Sequence, residues 1–215
     1  MTTDADAWTT IAQERGALAD LLDTLTPGQW ATQSLCGAWT VKEVAVHLMV
    51  GPTGSLPSFA TAMLKARGRF EVANQVMVDR RSDRPTAAVS ADLRDHAASR
   101  FTPPGFDWPA PLTDLLVHRL DITVPLGLDH DRPLGPWADA LTFLLTPKAA
   151  RAFVGARPPA LTLAATDLAW TGGSGPRVEG PAEALGLALT RRTPRLGELA
   201  GPGAEVLRAW AAGNT

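Results

Sequence analysis

The sequence predicts a mainly α protein, in which a helical bundle is followed by a small α+β unit. Apolar residues recur at helical intervals through most of the first 150 residues, and clusters of proline and glycine separate these stretches. After about residue 155 the chain changes to short apolar runs with glycine turns between them. We therefore expect a helical domain over residues 1–150 and a small α+β domain over residues 151–215.

The first two helices are marked by their ends. Apolar residues at helical spacing predict a helix over residues 4–25, which the segment "TPGQW" then stops. Further on, "TVKE" has the form of a capping box, with Thr40 as the N-cap and Glu43 reaching back to its amide. This box predicts a short helix that carries His47 and ends near residues 51–52.

Further helices precede the change in texture. The apolar patterns predict helices over residues 57–80, 86–100 and 110–124, and another after Pro136. Beyond residue 155, the runs "ALTLAATDLAWTGG" and "PRVEG" predict two or three strands. The stretches "GPAEALGLALTRR" and "GAEVLRAWAA" predict two helices that close the α+β unit.

Charge and cysteine content exclude several classes of protein. The 20 basic and 22 acidic residues are spread along the chain, which gives no footprint for nucleic acid, so we expect a small-molecule or protein partner. No apolar run is long enough to span a membrane, and the amino terminus lacks secretory features, so we expect a cytoplasmic protein. With Cys36 alone, an intrachain disulfide and a cysteine-rich zinc module are both excluded.

The segment "TDLLVHRLDIT" carries three polar groups on one stripe of an otherwise apolar helix. Positions i, i+4 and i+7 lie within about 40° of one another on a helix, so Asp114, His118 and Asp121 share one face. A carboxylate among apolar neighbours is costly unless it is hydrogen-bonded, ion-paired or metal-bound. The stripe therefore predicts either a polar network or a binding site.

The context of each histidine narrows the choice. An acidic residue four places earlier is weak evidence alone, because Glu43 precedes His47 by this interval and already has a capping role. His96 lies among charges and His130 in a polar turn, so both are interpreted as surface residues. His47 and His118 occupy apolar helices, where each is either a hydrogen-bonded core histidine or a ligand in a His/His/acid metal site.

Three stretches resemble a known family. They are "CGAWTVKEVAVHL" (36–48), "TDLLVHRLDITVPLG" (113–127) and "RVEGPAEALGLALTRR" (177–192), and they look like the mycothiol-dependent maleylpyruvate isomerase family. The amino-terminal domain of that family belongs to the DinB-like superfamily. The resemblance covers nearly the whole chain and implies a DinB-like four-helix bundle over residues 1–150. It also implies a sterol-carrier-like α+β domain over residues 151–215.

The same resemblance implies a set of metal ligands. In that family a divalent metal, zinc or nickel, is held by three side chains, which match His47, Asp114 and His118 in this sequence. The family pattern has a glutamate where this chain has Asp114, and an aspartate reaches about one methylene less far, which bears on metal affinity and identity. Asp121 is expected to orient the imidazole of His118 as a hydrogen-bond acceptor.

The resemblance also implies the chemistry. Mycothiol would be the thiol cosubstrate, and a thiolate formed at the metal would attack a small electrophile in a thiol-transferase or isomerase reaction. The protein's own Cys36 is then unnecessary and is interpreted as a small apolar loop residue. A carboxylate substrate needs a cation, and arginines near residues 67–84 are candidates that are otherwise a solvated face. These are Arg67, Arg69, Arg80, Arg81 and Arg84.

Two alternatives stay open from the sequence. One is a non-catalytic metal-binding or stress-response and regulatory protein of DinB-like fold, because a fold and three ligands do not fix a reaction. The other is an apolar-ligand carrier, since the carboxy-terminal unit resembles sterol-carrier modules. Thiol-transfer activity would separate the first alternative from an enzyme, and binding of an apolar ligand would support the second.

Overall fold

The structure is a computed structural model that describes residues 3–37, 39–54, 56–128 and 131–213. The chain divides into two compact units, residues 1–129 and residues 130–215. This division falls earlier than the predicted boundary between residues 150 and 151, because the helix Pro136–Leu144 packs on the helix Ala182–Leu189. The predicted mainly α class with a small sheet is confirmed.

The first unit is built from helices. In chain order they are α1 Asp4–Asp23, α2 Pro27–Trp30, α3 Val41–Thr53, α4 Leu56–Lys65, α5 Phe70–Asp79, α6 Thr86–Asp95 and α7 Pro109–Thr123. Helix α1 packs on α6 and α7, and α3 packs on α5, α6 and α7. The core between them is lined by fully buried side chains such as Leu18, Leu22, Val44, Leu93 and Ile122. None of the described helices is long and apolar enough to cross a membrane.

Helix α3 begins where the sequence predicts. The amide of Glu43 donates to Thr40 Oγ1 at 3.3 Å, and the Thr40 amide donates to Glu43 Oε2 at 2.7 Å. These reciprocal bonds form the predicted capping box and satisfy two amides that the helix itself leaves without partners. The box fixes the start of the helix and so the position of His47, which lies in its second turn.

The single helix predicted over residues 57–80 is wrong, because the chain breaks between α4 and α5. Arg67 and Gly68 have positive φ angles of 52° and 78°. The Gly68 amide donates to the Met63 carbonyl at 2.9 Å and the Arg67 amide to the Leu64 carbonyl at 3.1 Å. This pair of bonds is a Schellman motif, which ends a helix even though the apolar pattern continues beyond it.

The observed bounds of α6 and α7 can be compared with their predicted ranges. Helix α6 ends at Asp95, earlier than the predicted end at residue 100. Helix α7 spans Pro109–Thr123, close to the predicted 110–124. His130, interpreted from the sequence as a surface residue, lies outside the described residues.

The second unit combines helices with a small sheet. Its helices are α8 Pro136–Leu144, α9 Pro147–Ala149, a π-helical turn Ala150–Val154, α10 Ala182–Leu189, a 3-10 turn Leu196–Glu198 and α11 Ala204–Ala211. Its strands are β1 Thr162–Ala165, β2 Thr171–Gly173 and β3 Arg177–Gly180. The strand order is β2-β1-β3, with β1 antiparallel to β2 and parallel to β3.

Close helix packing in this unit requires one glycine. Helix α10 packs on α8, and a Cβ at Gly186 would lie 2.2 Å from the ring of Trp137. No side chain fits in that space, so glycine lets the two helices approach around the buried indole. The two predicted closing helices are present as α10 and α11, and the predicted two or three strands are three.

Candidate metal centre

Three side chains predicted as metal ligands meet between α3 and α7. Helix α3 provides His47, and α7 provides Asp114 and His118 one turn apart. His47 Nε2 and His118 Nε2 each lie 3.4 Å from Asp114 Oδ1. One ligand atom from each of the three residues lies within 4.8 Å of the others. The fold thus brings together two residues adjacent on one helix and a third that is distant in sequence.

The 3.4 Å separations are informative about the kind of site. Charge-assisted hydrogen bonds between nitrogen and oxygen are shorter, at about 2.7–2.9 Å. Metal bonds of about 2.0–2.1 Å at tetrahedral angles set neighbouring ligand atoms about 3.3–3.4 Å apart. Two imidazole nitrogens around the Asp114 oxygen therefore have the spacing of ligands to one ion, and this donor set fits a divalent metal.

Electrostatics couple the three groups strongly. Burial alone would raise the pKa of Asp114, but the charges of His47 and His118 lower it well below its usual range. Burial lowers the pKa of His118, but the Asp114 carboxylate opposes this and holds it well above its usual value. Without a metal, a proton on His118 balances the carboxylate charge, and a bound cation would replace it.

The access to this cluster lies on the side of Asp114. Its side chain keeps 31% exposure, against 11% for the side chain of His47 and 10% for that of His118. Asp114 is therefore the ligand that solvent reaches most readily. The two imidazoles form the closed wall of the site.

Asp121 contacts the other nitrogen of His118. Its Oδ2 lies 2.7 Å from His118 Nδ1, and the Asp121 side chain is fully buried. The backbone oxygen of Asp121 also accepts a bond from the Leu35 amide at 3.1 Å, which fastens the preceding loop to α7. The contact has the geometry that the predicted orienting role requires, since an acceptor at Nδ1 leaves Nε2 free for a ligand.

The sequence analysis missed the role of Trp39. Its ring centroid lies 5.1 Å from that of His47 and 6.3 Å from that of His118, so the indole covers both imidazoles. Trp39 Nε1 donates to Gln75 Oε1 on α5 at 2.7 Å. His47 Nδ1 is buried without a hydrogen-bond partner among the described residues, so its ring is held by packing on Trp39 and by the contact of Nε2 with Asp114.

Cys36 also lies at the site, although the sequence pattern gave it only a structural role. It packs half-buried against the apolar core, as that interpretation requires. It also lies within 4.8 Å of ligand atoms of both His118 and Asp121. No spacing rule in the sequence indicates this contact, because Cys36 and His118 are 82 positions apart.

None of the predicted substrate-binding arginines has a described contact with the three candidate ligands. Arg81 donates to the Met77 carbonyl at 3.3 Å, and Arg84 pairs with Asp92. The buried cation whose charge interacts with Asp114 is instead Arg15. Burial lowers the pKa of Arg15 to about 10 while Asp114 opposes the shift, and the guanidinium is held by two backbone carbonyls. The predicted role of the arginines stays a prediction.

By fold and donor set, the first unit is a helical protein with a candidate divalent-metal centre between two of its helices. Residues 11–104 match the family model of the mycothiol maleylpyruvate isomerase N-terminal domain. The match covers 94 of the 215 residues and supports the resemblance of this chain to the mycothiol-dependent maleylpyruvate isomerase family. The matched segment includes His47 and ends before Asp114 and His118.

Solved structures extend the likeness to nearly the whole chain. A crystal structure of a histidine-to-alanine variant of the mycothiol-dependent maleylpyruvate isomerase shares 15% identity, with a TM-score of 0.59 over 95% of this chain and 97% of that chain. A second crystal structure of the mycothiol-dependent maleylpyruvate isomerase shares 17% identity, with a TM-score of 0.55 over 89% and 92%. These likenesses establish a common fold. No curated protein matches the sequence.

Proposed function

We propose that this protein is a metal-dependent, mycothiol-dependent thiol transferase or isomerase that acts on a small electrophile. The observation that carries the proposal is the spacing of His47 Nε2 and His118 Nε2, each 3.4 Å from Asp114 Oδ1. The match of residues 11–104 to the mycothiol maleylpyruvate isomerase N-terminal domain supports the same chemistry. Maleylpyruvate is the first substrate to test, because the structures with this fold are of an isomerase for it.

Each residue of the cluster has a distinct part in this proposal. His47, Asp114 and His118 would hold a divalent ion, with zinc and nickel as the candidates. When bound, that ion would lower the pKa of a thiol so that a thiolate exists at neutral pH. Asp121 keeps the proton of His118 on Nδ1, which leaves Nε2 free as a donor atom. Trp39 closes the wall behind the two rings.

Metal analysis tests the site itself. The full chain would be purified without chelator or metal-affinity resin, together with the variants His47→Ala, His118→Ala and His96→Ala. The last is a matched control, since His96 is exposed at the end of α6 and has no described contact with His47, Asp114 or His118. We expect about one ion per chain in the wild type and in His96→Ala, and loss of the ion in His118→Ala. His47→Ala is combined with Cys36→Ser, because Cys36 is a further ligating side chain beside His118, and this double variant should also lose the ion. Unchanged metal content in the double variant would exclude the proposed centre.

Activity tests the reaction. The metal-loaded protein would be incubated with mycothiol and maleylpyruvate, and then with mycothiol and a panel of alkylating electrophiles. We expect turnover that a chelator abolishes and that zinc or nickel restores. A protein that binds the ion at this site but consumes neither thiol nor substrate would instead be the non-catalytic metal-binding alternative.

A further inference from the structure

A second set of donor groups includes His118 and the buried carboxylate that contacts its Nδ1 atom. Cys36, His118 and Asp121 each offer one ligand atom, and these atoms lie within 4.8 Å of one another. His118 and Asp121 are buried and Cys36 is half-buried. This trio shares only His118 with the candidate centre described above, so it is a separate cluster of metal-ligating side chains.

The carboxylates of the two clusters lie at opposite nitrogens of one imidazole. Asp121 Oδ2 lies 2.7 Å from Nδ1, whereas Asp114 Oδ1 lies 3.4 Å from Nε2. The loop that carries Cys36 is fixed by two bonds, from the Leu35 amide to the Asp121 carbonyl and from the Cys36 amide to Ser34 Oγ, both 3.1 Å long. These bonds fix the backbone of Cys36 close to Asp121.

The chemistry of this trio differs from that of the first. Thiolate, imidazole and carboxylate are all ligands of zinc and of its spectroscopic substitute cobalt(II), and the sulfur makes this set the softer of the two. With a metal–sulfur bond of about 2.3 Å and metal–nitrogen or metal–oxygen bonds of about 2.0–2.2 Å at tetrahedral angles, ligand atoms lie about 3.3–3.6 Å apart. The three atoms here lie within 4.8 Å of one another, which contains that range. The 2.7 Å contact between His118 Nδ1 and Asp121 Oδ2 is a hydrogen bond, so an ion at this position has to replace the Nδ1 proton and move the two atoms apart by about 0.6 Å.

We infer that Cys36, His118 and Asp121 form a second metal position, which takes thiophilic divalent ions and competes with the first position for His118. A neutral imidazole carries one proton and has one free nitrogen. An ion on Nδ1 therefore leaves the proton on Nε2, where it blocks ligation beside Asp114. The inference stands on these three residues and does not require that the first trio binds metal.

Cobalt(II) titration of the full chain tests the inference. A thiolate bound to cobalt gives a charge-transfer absorption in the near ultraviolet, and Cys36 is the sole cysteine of the chain, so the band has one possible protein source. The test compares the wild type, Cys36→Ser and His47→Ala in buffer free of thiols. His47→Ala removes the first position and leaves all three members of the second.

The expected result is a charge-transfer band that develops in His47→Ala and is absent in Cys36→Ser. The wild type should saturate at about one cobalt ion per chain, because the two positions share His118. Absence of the band in a His47→Ala protein whose circular dichroism is that of the wild type would overturn the inference. A band that persists in Cys36→Ser would also overturn it, and binding of two ions per chain would refute the competition. Failure of the first position leaves the band in His47→Ala unaffected, so the two proposals fail separately.

Discussion

Asp121 is the residue through which helix α7 supports its own histidine. Its carboxylate lies 2.7 Å from His118 Nδ1 in a fully buried position. Acceptors of this kind fix the ring orientation of a ligating histidine and increase its basicity. The geometry places the support for His118 within the same helix turn, so it does not depend on how neighbouring helices move.

Replacing this acceptor should weaken metal binding at the centre formed by His47, Asp114 and His118 without removing any of its three ligands. In Asp121→Asn the amide keeps the shape but loses the charge, so we expect metal affinity to fall by about 10–100-fold. Isothermal titration with zinc measures the change. Asp95→Asn is the control, since Asp95 is an exposed acid at the end of α6. Equal affinities in Asp121→Asn and the wild type would show that the carboxylate does not orient the ring.

Protonation of His118 should compete with the metal. The Asp114 carboxylate outweighs the effect of burial and raises the pKa of His118 well above its usual value. Below that raised pKa the imidazolium has no free nitrogen, so we expect apparent zinc affinity to rise with pH and to level off above the pKa. Titrations at one pH in two buffers of different ionisation enthalpy measure the protons released. Identical heats in both buffers at neutral pH would contradict the expectation.

At the scale of elements, a substitution in the capping box of α3 should change the stability of the fold without changing its metal content. Thr40→Ala removes the acceptor for the Glu43 amide, so the free energy of unfolding should fall by about 1 kcal/mol. Metal content should be unchanged, because the rest of the helix and its core packing remain. Urea denaturation measures the loss. Thr9→Ala is the control: Thr9 is exposed within α1, where alanine is the better helix former and no loss is expected.

The break between α4 and α5 depends on backbone conformation alone. Gly68 has φ of 78° and a Cβ there would meet no atom within 4 Å, so Gly68→Ala tests the left-handed backbone without a steric clash. We expect the free energy of unfolding to fall by about 1 kcal/mol. Arg67→Gly should not destabilise, because Arg67 already has a positive φ of 52°. A loss of stability in Arg67→Gly with none in Gly68→Ala would contradict the positive φ angles at these two residues.

At the scale of the whole molecule, the metal should act as a folding ligand. An ion that binds only the native state stabilises it by about 2.7 kcal/mol at a free concentration 100 times the dissociation constant. We therefore expect zinc to raise the midpoint of thermal unfolding of the wild type and to leave that of His118→Ala unchanged. Differential scanning calorimetry measures both. An equal rise in the two proteins would place the stabilising ion somewhere other than the candidate centre.

The limits of sequence reasoning follow from the range of each interaction. Local rules predicted the capping box at Thr40, and helical periodicity predicted that Asp114 and His118 share a face. The approach of His47 to Asp114 crosses 67 positions, which no spacing rule reaches, and came from the resemblance to a family. Trp39 escaped prediction because its direction is set by loop bonds, such as the one from Ser34 Oγ to the Trp39 carbonyl.

The indole of Trp39 packs on the two imidazoles, so its fluorescence can report whether the candidate centre holds an ion. Trp39 lies 5.1 Å from His47 and 6.3 Å from His118, so its fluorescence is exposed to quenching by a paramagnetic ion held between those rings. The chain has seven tryptophans, and the difference between the wild type and Trp39→Phe isolates this one emission. Occupancy of the centre can then be followed in real time, in dilute solution and without a label.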